Sequence, residues 1–385
     1  MTTAAAARIP RPLRILLTTF HGGGNVPPFV ELSRELHRRG HDVTVLAQGS
    51  LRQQFDSVGS RFVESQHGLP YTPYDRIPLD VQYRLFGAIF FDTGHGDDLF
   101  DQIEATGADV VVADCHLYGA IAAAEASRRP LVVLVHTLFA FMHRLAAGNL
   151  GTLQETRRRW TLPPVSPEEI WRGATALLVT SFSALDEPQA VVTPITYTGP
   201  LFDEGDPAAE APAGDGVPHL LVSLSTTYMQ HEDLLMRIID ALAEAPVQAT
   251  VTVGAETDLA AGRLPPNVSL RAGWAPHAQL IAHSAGVICH AGHGIVSTSL
   301  ALGRPVLCIP LGRDQPYIGQ RVVHIGAGLL LPGDAPSPAI RRAALRLIEE
   351  PALAERAAEL AASAPNFPPR LSRAADLVEE ASRVA

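Results

Sequence analysis

The sequence predicts an α/β protein of two doubly wound, Rossmann-like parallel sheets that face one another across a cleft. Three observations carry this expectation. Short aliphatic runs alternate with amphipathic or Ala-rich helical segments. Apolar residues make up 46% of the chain but aromatics only 6%, a mix of Ala, Val, Leu and Ile suited to strands buried on both faces. The alternation breaks once, in an acidic Pro/Gly/Ala stretch, and then restarts. A chain of 385 residues also suits two domains better than a single core.

The elements follow in order from Leu13. "LRILLTTF" reads as a strand, "HGGGNVPP" as a glycine loop, and "FVELSRELHRRG" as a helix that buries Phe29, Leu32 and Leu36 and ends at Gly40. The strand "HDVTVLA" comes next, and "ADVVVAD", "PLVVLVH" and "TALLVTS" continue the rhythm. Repeated βα units imply right-handed crossovers and define an N-terminal domain over 1–204. The segment "FDEGDPAAEAPAGDGVP" cannot bury a face, and the linker is set at 205–217. The second domain, 218–368, brings "HLLVSLS", a helix over His231–Glu244, "QATVTVG", "VSLRAGW", "GVICHAG", "RPVLCIP" and "GAGLLLP". The last stretch, 369–385, is an amphipathic helix expected to pack back on the first domain. Ligands of such sheets sit at the carboxyl ends of the strands, where both glycine-rich loops fall.

Composition removes several functions. A formal charge of −10 argues against a nucleic-acid partner, which requires a basic surface. No run of 18 apolar residues offers a membrane span, and "MTTAAAARIPRP" lacks the apolar centre of a signal peptide. All 30 basic residues are arginine, which excludes Schiff-base chemistry and a phosphate-loop lysine. Cys115, Cys289 and Cys308 lie in or at the ends of apolar strands, an odd set that reads as reduced and cytoplasmic. No metal site is expected from Cys289, His290 and His293, since consecutive strand residues point to opposite faces.

The most informative stretch is "HAGHGIVSTSLALGRPVLCIPLGRDQ", His290–Gln315. A strand ends in His290, and a helix begins near Gly294. A helix N-terminus presents free N–H groups and positive dipole to an anion, and Gly292 and Gly294 allow close backbone approach. Asp314 and Gln315 follow the next strand at the same sheet edge. Upstream, "NVSLRAGWAPHAQL" places Trp274 on a loop after a strand, sixteen residues before His290, where an indole can stack on a base. The string Gly-x-Gly-x-x-Ser in "GHGIVS" imitates a dinucleotide fingerprint but lacks its third glycine.

Taken together, these residues resemble the nucleotide-sugar-dependent glycosyltransferases of the GT-B fold, in the family that glycosylates natural products. The resemblance spans nearly the whole chain and is strongest over Asn267–Leu331. It implies that Trp274 stacks the nucleobase and that the Ala275 backbone contacts it. By the same resemblance His290, Gly292, His293 and Gly294 take the diphosphate, and Asp314 and Gln315 bind the hexose. Ser225 and Thr226, in the loop after the first strand of the second domain, also reach the phosphates. Where the family has Ser or Thr after the second glycine, this chain has Ile295 and Val296, leaving Ser297 or amides alone to supply the contact. The ribose-binding glutamate of many UDP-sugar enzymes, eight positions after the histidine, is here Thr298, so a dTDP-deoxysugar fits at least as well as a UDP-sugar.

The resemblance further implies inversion without a metal or other cofactor, with a His base in the first glycine loop oriented by an Asp. Asp114 matches the acid. Counting back from Pro28 sets the base slot at Asn25, with His21 four residues earlier. His21 is the expected base, and His95, Asp97, Asp98 and His116 stand in reserve. An acceptor pocket is expected from Asn25, Phe86, Phe90, Phe91, His136, Phe139 and Met142, whose aromatics suit a flat polyketide-like aglycone. The partners are thus a sugar nucleotide and a small molecule, and a homodimer is compatible with the sequence. A catalytically inactive helper of a partner enzyme, an NAD-dependent dehydrogenase and a sugar-nucleotide epimerase are the competing readings.

Overall fold

The computed structural model describes residues 11–68, 71–202, 216–225, 227–254, 264–273, 275–363 and 369–384. The first sheet comprises β1 (Arg14–Thr18), β2 (Asp42–Ala47), β3 (Arg61–Glu64), β4 (Val110–Asp114), β5 (Leu131–Val135), β6 (Ala176–Val179) and β7 (Ile195–Tyr197). The second comprises β8 (His219–Ser223), β9 (Gln248–Val253), β10 (Val268–Ala272), β11 (Gly286–Cys289), β12 (Val306–Cys308) and β13 (Gly328–Leu330). Their orders are β3-β2-β1-β4-β5-β6-β7 and β10-β9-β8-β11-β12-β13. Every pairing is parallel.

Each sheet is covered on both sides, as the aliphatic runs require. In β1, Leu16 enters one buried cluster while Ile15 and Leu17 enter another. In β8, Leu221 is separated in the same way from Leu220 and Val222. This alternation leaves no polar face, which is why the strands read as continuous hydrophobic runs. The sequence analysis did not single out β3 and β7. Both are short edge strands, and the Arg61–Glu64 and Ile195–Tyr197 side chains are exposed or half-buried, so they lack the fully apolar signal.

In each sheet the strand order reverses beside the first strand, between β1 and β4 and between β8 and β11. Such a reversal opens a crevice at the strand ends. Register sets Thr18 beside Ala113 and Ser223 beside Cys289. The loop after β1 therefore lies next to Asp114, and the loop after β8 next to His290.

The closing helix, Pro369–Ala381, lies against the first domain, where Leu371, Ala374, Leu377 and Val378 join the cluster containing Phe29 and Leu32. Arg39 fixes it. Its guanidinium bonds Glu379 at 2.9 Å, Asp376 at 2.7 Å and Ser372 O at 2.9 Å, as well as Glu35 at 2.9 Å. Burial alone would raise Glu379, but the Arg39 and His41 bonds hold it below its usual range. Glu379→Gln is expected to cost about 1–3 kcal/mol in urea titration, the usual worth of a hydrogen bond to a charged group. Since a depressed carboxyl stabilises only while ionised, this difference should be full at neutral pH and fade as pH falls below about 4.3.

Candidate functional site

The two crevices meet. Thr137, just past β5, donates through Oγ1 to Asp314 Oδ2 at 2.5 Å. Arg313 crosses from the second domain, bonding Gln82 Oε1 at 2.7 Å, while its own backbone N–H donates to the Tyr83 hydroxyl at 3.0 Å. The Tyr228 N–H donates to Pro73 O at 2.8 Å, and Gln82 Nε2 donates to Tyr228 O at 3.0 Å. Arg321 reaches Leu185 O at 2.9 Å. Polar groups of the second domain thus close directly on the strand ends of the first.

On the first domain the centre is Asp114, which is wholly buried. Its Oδ2 accepts Thr19 Oγ1 at 2.8 Å and Asn25 Nδ2 at 2.9 Å. Its Oδ1 accepts the His116 backbone N–H at 3.0 Å and lies 3.1 Å from His136 Nε2. The His116 Nδ1 stands 3.1 Å from the same His136 nitrogen and 3.7 Å from Cys115 Sγ. Burial alone would raise Asp114, but the His136 and His116 charges hold it well below the usual carboxylate range. Burial likewise opposes the charged form of His116, yet Cys115 and Asp114 raise that imidazole to about 9. Asp114, Cys115, His116 and His136 present one ligand atom each within 4.8 Å of one another. Among the described residues this is the group able to hold a metal ion, and sequence reading did not anticipate it.

His21 is not part of this group. Its Nδ1 pairs with Ser50 Oγ at 3.0 Å, its backbone N–H donates to Gln48, and its ring packs edge-on against Tyr74. Burial pushes its pKa down. The expected His21–Asp114 pair is therefore not formed: the glycine loop turns so that Asn25, at the slot counted back from Pro28, meets Asp114 instead. His95 is also occupied, 2.7 Å from Thr18 Oγ1 and 3.0 Å from Ser65 Oγ.

The expected acceptor residues divide. Phe86 and Phe90 stack at 5.8 Å, Phe20 meets both edge-on, and Phe90 lies over His116 with centroids 4.4 Å apart. They form an aromatic wall beside the Asp114 group. Phe91 stacks instead on Tyr118. Phe139 and Met142 are wholly buried and belong to the core, because the helix Phe139–Gly148 turns that face inward. They do not line the cleft, and His136 and Asn25 are engaged with Asp114.

On the second domain, β11 ends at Cys289, and Ala291 takes a left-handed φ of 63° to turn the chain into the helix His293–Ala301. Gly292 caps that helix with no side-chain bond, so its first amides are open. A Cβ on Gly292 would come within 2.4 Å of His290 Nε2, whereas one on Gly294 would meet nothing within 4 Å. The first glycine therefore admits the imidazole and the second keeps the helix mouth clear. His290 Nδ1 is buried without a hydrogen-bond partner. Burial lowers His290 to about 3, so at neutral pH it is a neutral donor and not a cation.

Two expected donor contacts are turned elsewhere. Ser297 is wholly buried and sits 3.1 Å from His293 Nε2, one helical turn away, so its hydroxyl faces inward and not toward the helix mouth. Gln315 folds back, accepting the Leu311 N–H at 2.8 Å and setting its amide against Met229 sulfur at 3.1 Å. It ties down the loop after β12. Ser225 Oγ is 2.7 Å from Thr227 Oγ1 and accepts the Thr227 N–H at 3.1 Å, shaping the loop after β8. Ala275 is buried, and its carbonyl accepts the His277 N–H at 2.9 Å. Thr226 and Trp274 lie outside the described residues. Arg313 and Thr227 were not foreseen, and only the position of Arg313 before Asp314 hinted at its role.

Comparison with known proteins agrees with this geometry. Residues 236–379 match the model of the erythromycin biosynthesis protein CIII-like C-terminal domain, and residues 29–181 match that of glycosyltransferase family 4. The chain is 26% identical over 400 aligned residues to 4'-demethylrebeccamycin synthase of Lentzea aerocolonigenes, covering 90% of this chain and 94% of that one. The solved calicheamicin glycosyltransferase superposes with a TM-score of 0.80 at 24% identity, covering 97% of this chain and all of its own. Glycosyltransferase VinC in complex with dTDP superposes at 0.73 with 21% identity, covering 97% and 99%. Both sheets and their facing arrangement are thus those of the GT-B fold.

Gly294 can be tested without disturbing the core. Gly294→Val is expected to leave Tm nearly unchanged, while calorimetric titration shows affinity for a nucleoside diphosphate weakened by roughly tenfold, about 1.4 kcal/mol.

Proposed function

Because this chain belongs to the GT-B glycosyltransferases of natural-product biosynthesis, we propose that it moves a hexose or deoxyhexose from a dTDP- or UDP-sugar to a small hydrophobic acceptor, with inversion. The observation that carries the reading is the 2.5 Å bond between Thr137 and Asp314. It sets the second domain's sugar-side carboxylate against the strand that ends beside Asp114. Displacement at an anomeric carbon needs an incoming nucleophile and a departing diphosphate on opposite sides, and the two crevices supply opposed walls.

The diphosphate faces the open amides of the helix His293–Ala301, which stabilise a departing anion by charge and hydrogen bonding. His290, neutral at the end of β11, stands beside that helix start as a further hydrogen-bonding group. Arg313, whose guanidinium is bonded to the neutral oxygens of Thr227 and Gln82, adds positive charge nearby. No divalent ion is needed on the phosphates in this arrangement. The loop after β10, on which Ala275 lies, receives the base. The solved complex of VinC with dTDP supports a thymidine nucleotide, as does Thr298 in place of a ribose-binding glutamate.

On the acceptor side, the half-buried Phe90 offers flat apolar contact, and activation of the acceptor falls to the group around Asp114. Asn25 and Thr19 are positioning residues there: they fix Oδ2 and leave Oδ1 facing His136 and His116.

Incubation of the purified protein with dTDP- and UDP-sugars and a panel of aromatic polyketide aglycones, followed by mass spectrometry, tests the reading. A glycosylated product with release of nucleoside diphosphate is expected, and no transfer from either donor class would overturn it. Within that assay Asp114→Asn should lower kcat by about 10²–10⁴, the range for loss of acid–base function. His21→Ala should change it by less than about tenfold.

A further inference from the structure

We propose that Asp114, Cys115, His116 and His136 form a binding site for one zinc-class divalent metal ion at the carboxyl ends of β4 and β5. Asp114 ends β4, Cys115 and His116 follow it, and His136 follows the neighbouring β5. Asp114 pairs with Leu134, and two residues beyond that pair His116 and His136 meet at 3.1 Å. The turn after β4 then brings Cys115 Sγ to the same point.

The spacing is that of a coordination shell. With metal–nitrogen and metal–oxygen bonds near 2.0–2.1 Å and a metal–sulfur bond near 2.3 Å, tetrahedral ligand atoms stand about 3.3–3.6 Å apart. The separations here are 3.1 Å between the imidazole nitrogens and 3.1 Å from His136 Nε2 to Asp114 Oδ1. They are 3.6 Å from His116 Nδ1 to that oxygen and 3.7 Å from the same nitrogen to Cys115 Sγ. All four atoms fall within 4.8 Å of one another.

Hydrogen bonding accounts for this arrangement poorly. A single proton on His136 Nε2 can serve Asp114 and His116 together only as a divided, weaker three-centre bond. If both imidazoles are protonated at these atoms, two N–H groups face each other at 3.1 Å in a buried site. A central cation instead uses every lone pair at once.

The surroundings fit such a site. Asn25 and Thr19 occupy Asp114 Oδ2 and so aim Oδ1 inward, the supporting arrangement that metal ligands require. Phe90 lies against the His116 ring and fixes its plane. The side chains of His116 and His136 are 13% and 10% exposed, so an ion has a path from the cleft. A set of two imidazoles, a thiolate and one carboxylate selects zinc, or cobalt in its place, over magnesium.

The site is separate from the helix mouth assigned to the diphosphate, and binding there does not depend on sugar transfer. Its charge would favour an acceptor hydroxyl in its deprotonated form, the proton passing to water in the cleft. That second role rests on the proposed transfer reaction, whereas occupancy itself is measured without substrate.

The test uses the full chain, stripped with chelator, reloaded with excess zinc or magnesium at neutral pH and desalted before elemental analysis. About one zinc and no magnesium per chain is expected, and cobalt substitution should give the visible absorption of a tetrahedral site with a thiolate ligand. Cys115→Ser should remove the thiolate-to-cobalt band, and His116→Ala should weaken zinc binding by at least about a hundredfold, with circular dichroism confirming that each variant folds. Less than about one tenth of a zinc per wild-type chain would overturn the proposal, as would unchanged zinc affinity in a folded His116→Ala protein. A zinc-binding protein that transfers no sugar would leave the site standing and sink only the transfer reading.

Discussion

A carboxylate without access to water governs the first domain. Ionised Asp114 is tolerable in its buried position only because hydrogen bonds surround it: hydroxyl and amide donors on one oxygen, a main-chain N–H and an imidazole on the other. That requirement dictates the shape of the glycine loop after β1. The loop must deliver both Thr19 and Asn25 to the carboxylate, and with those in place His21 is carried out toward Ser50 and Gln48. The position of the acid therefore decides which side chains can do chemistry around it.

The second domain answers with the opposite arrangement. Where the first concentrates charge in a buried side chain, the second spreads it over main-chain amides at a helix start. Its histidines, His290 and His293, are held neutral by burial. The two halves join through few polar bonds, among them those of Arg313 and Thr137. The adjacent positions 313 and 314 thus reach the acceptor wall and the end of β5 from a single turn.

Much of the fold was legible because it rests on periodicity. Strand runs such as Val110–Asp114 and Leu131–Val135 are apolar along their length, and the restart after the acidic stretch marked a second sheet. The helix mouth was legible too, since glycines at 292 and 294 after a strand have few other uses. What was not legible depended on side-chain direction and on register. Ser297 supplies a hydroxyl in the right stretch, but one turn of helix points it at His293. His116 and His136 stand twenty residues apart, and only the pairing of β4 with β5 brings them together. His21 was favoured for its chemistry over Asn25, which is the residue that meets Asp114. The edge strands β3 and β7 lacked the pattern because they are incompletely covered.

The last helix, Pro369–Ala381, belongs by its packing to the domain where the chain begins, although it follows the end of the other. The described chain consequently changes lobe twice, between residues 202 and 216 and between residues 363 and 369. Two covalent links thus join the lobes, and the second holds only through the docking of the returning helix. Arg39, which secures that helix, therefore fastens the join between the lobes from a salt-bridge cluster at the far end of the helix Val26–Arg38 from the first glycine loop.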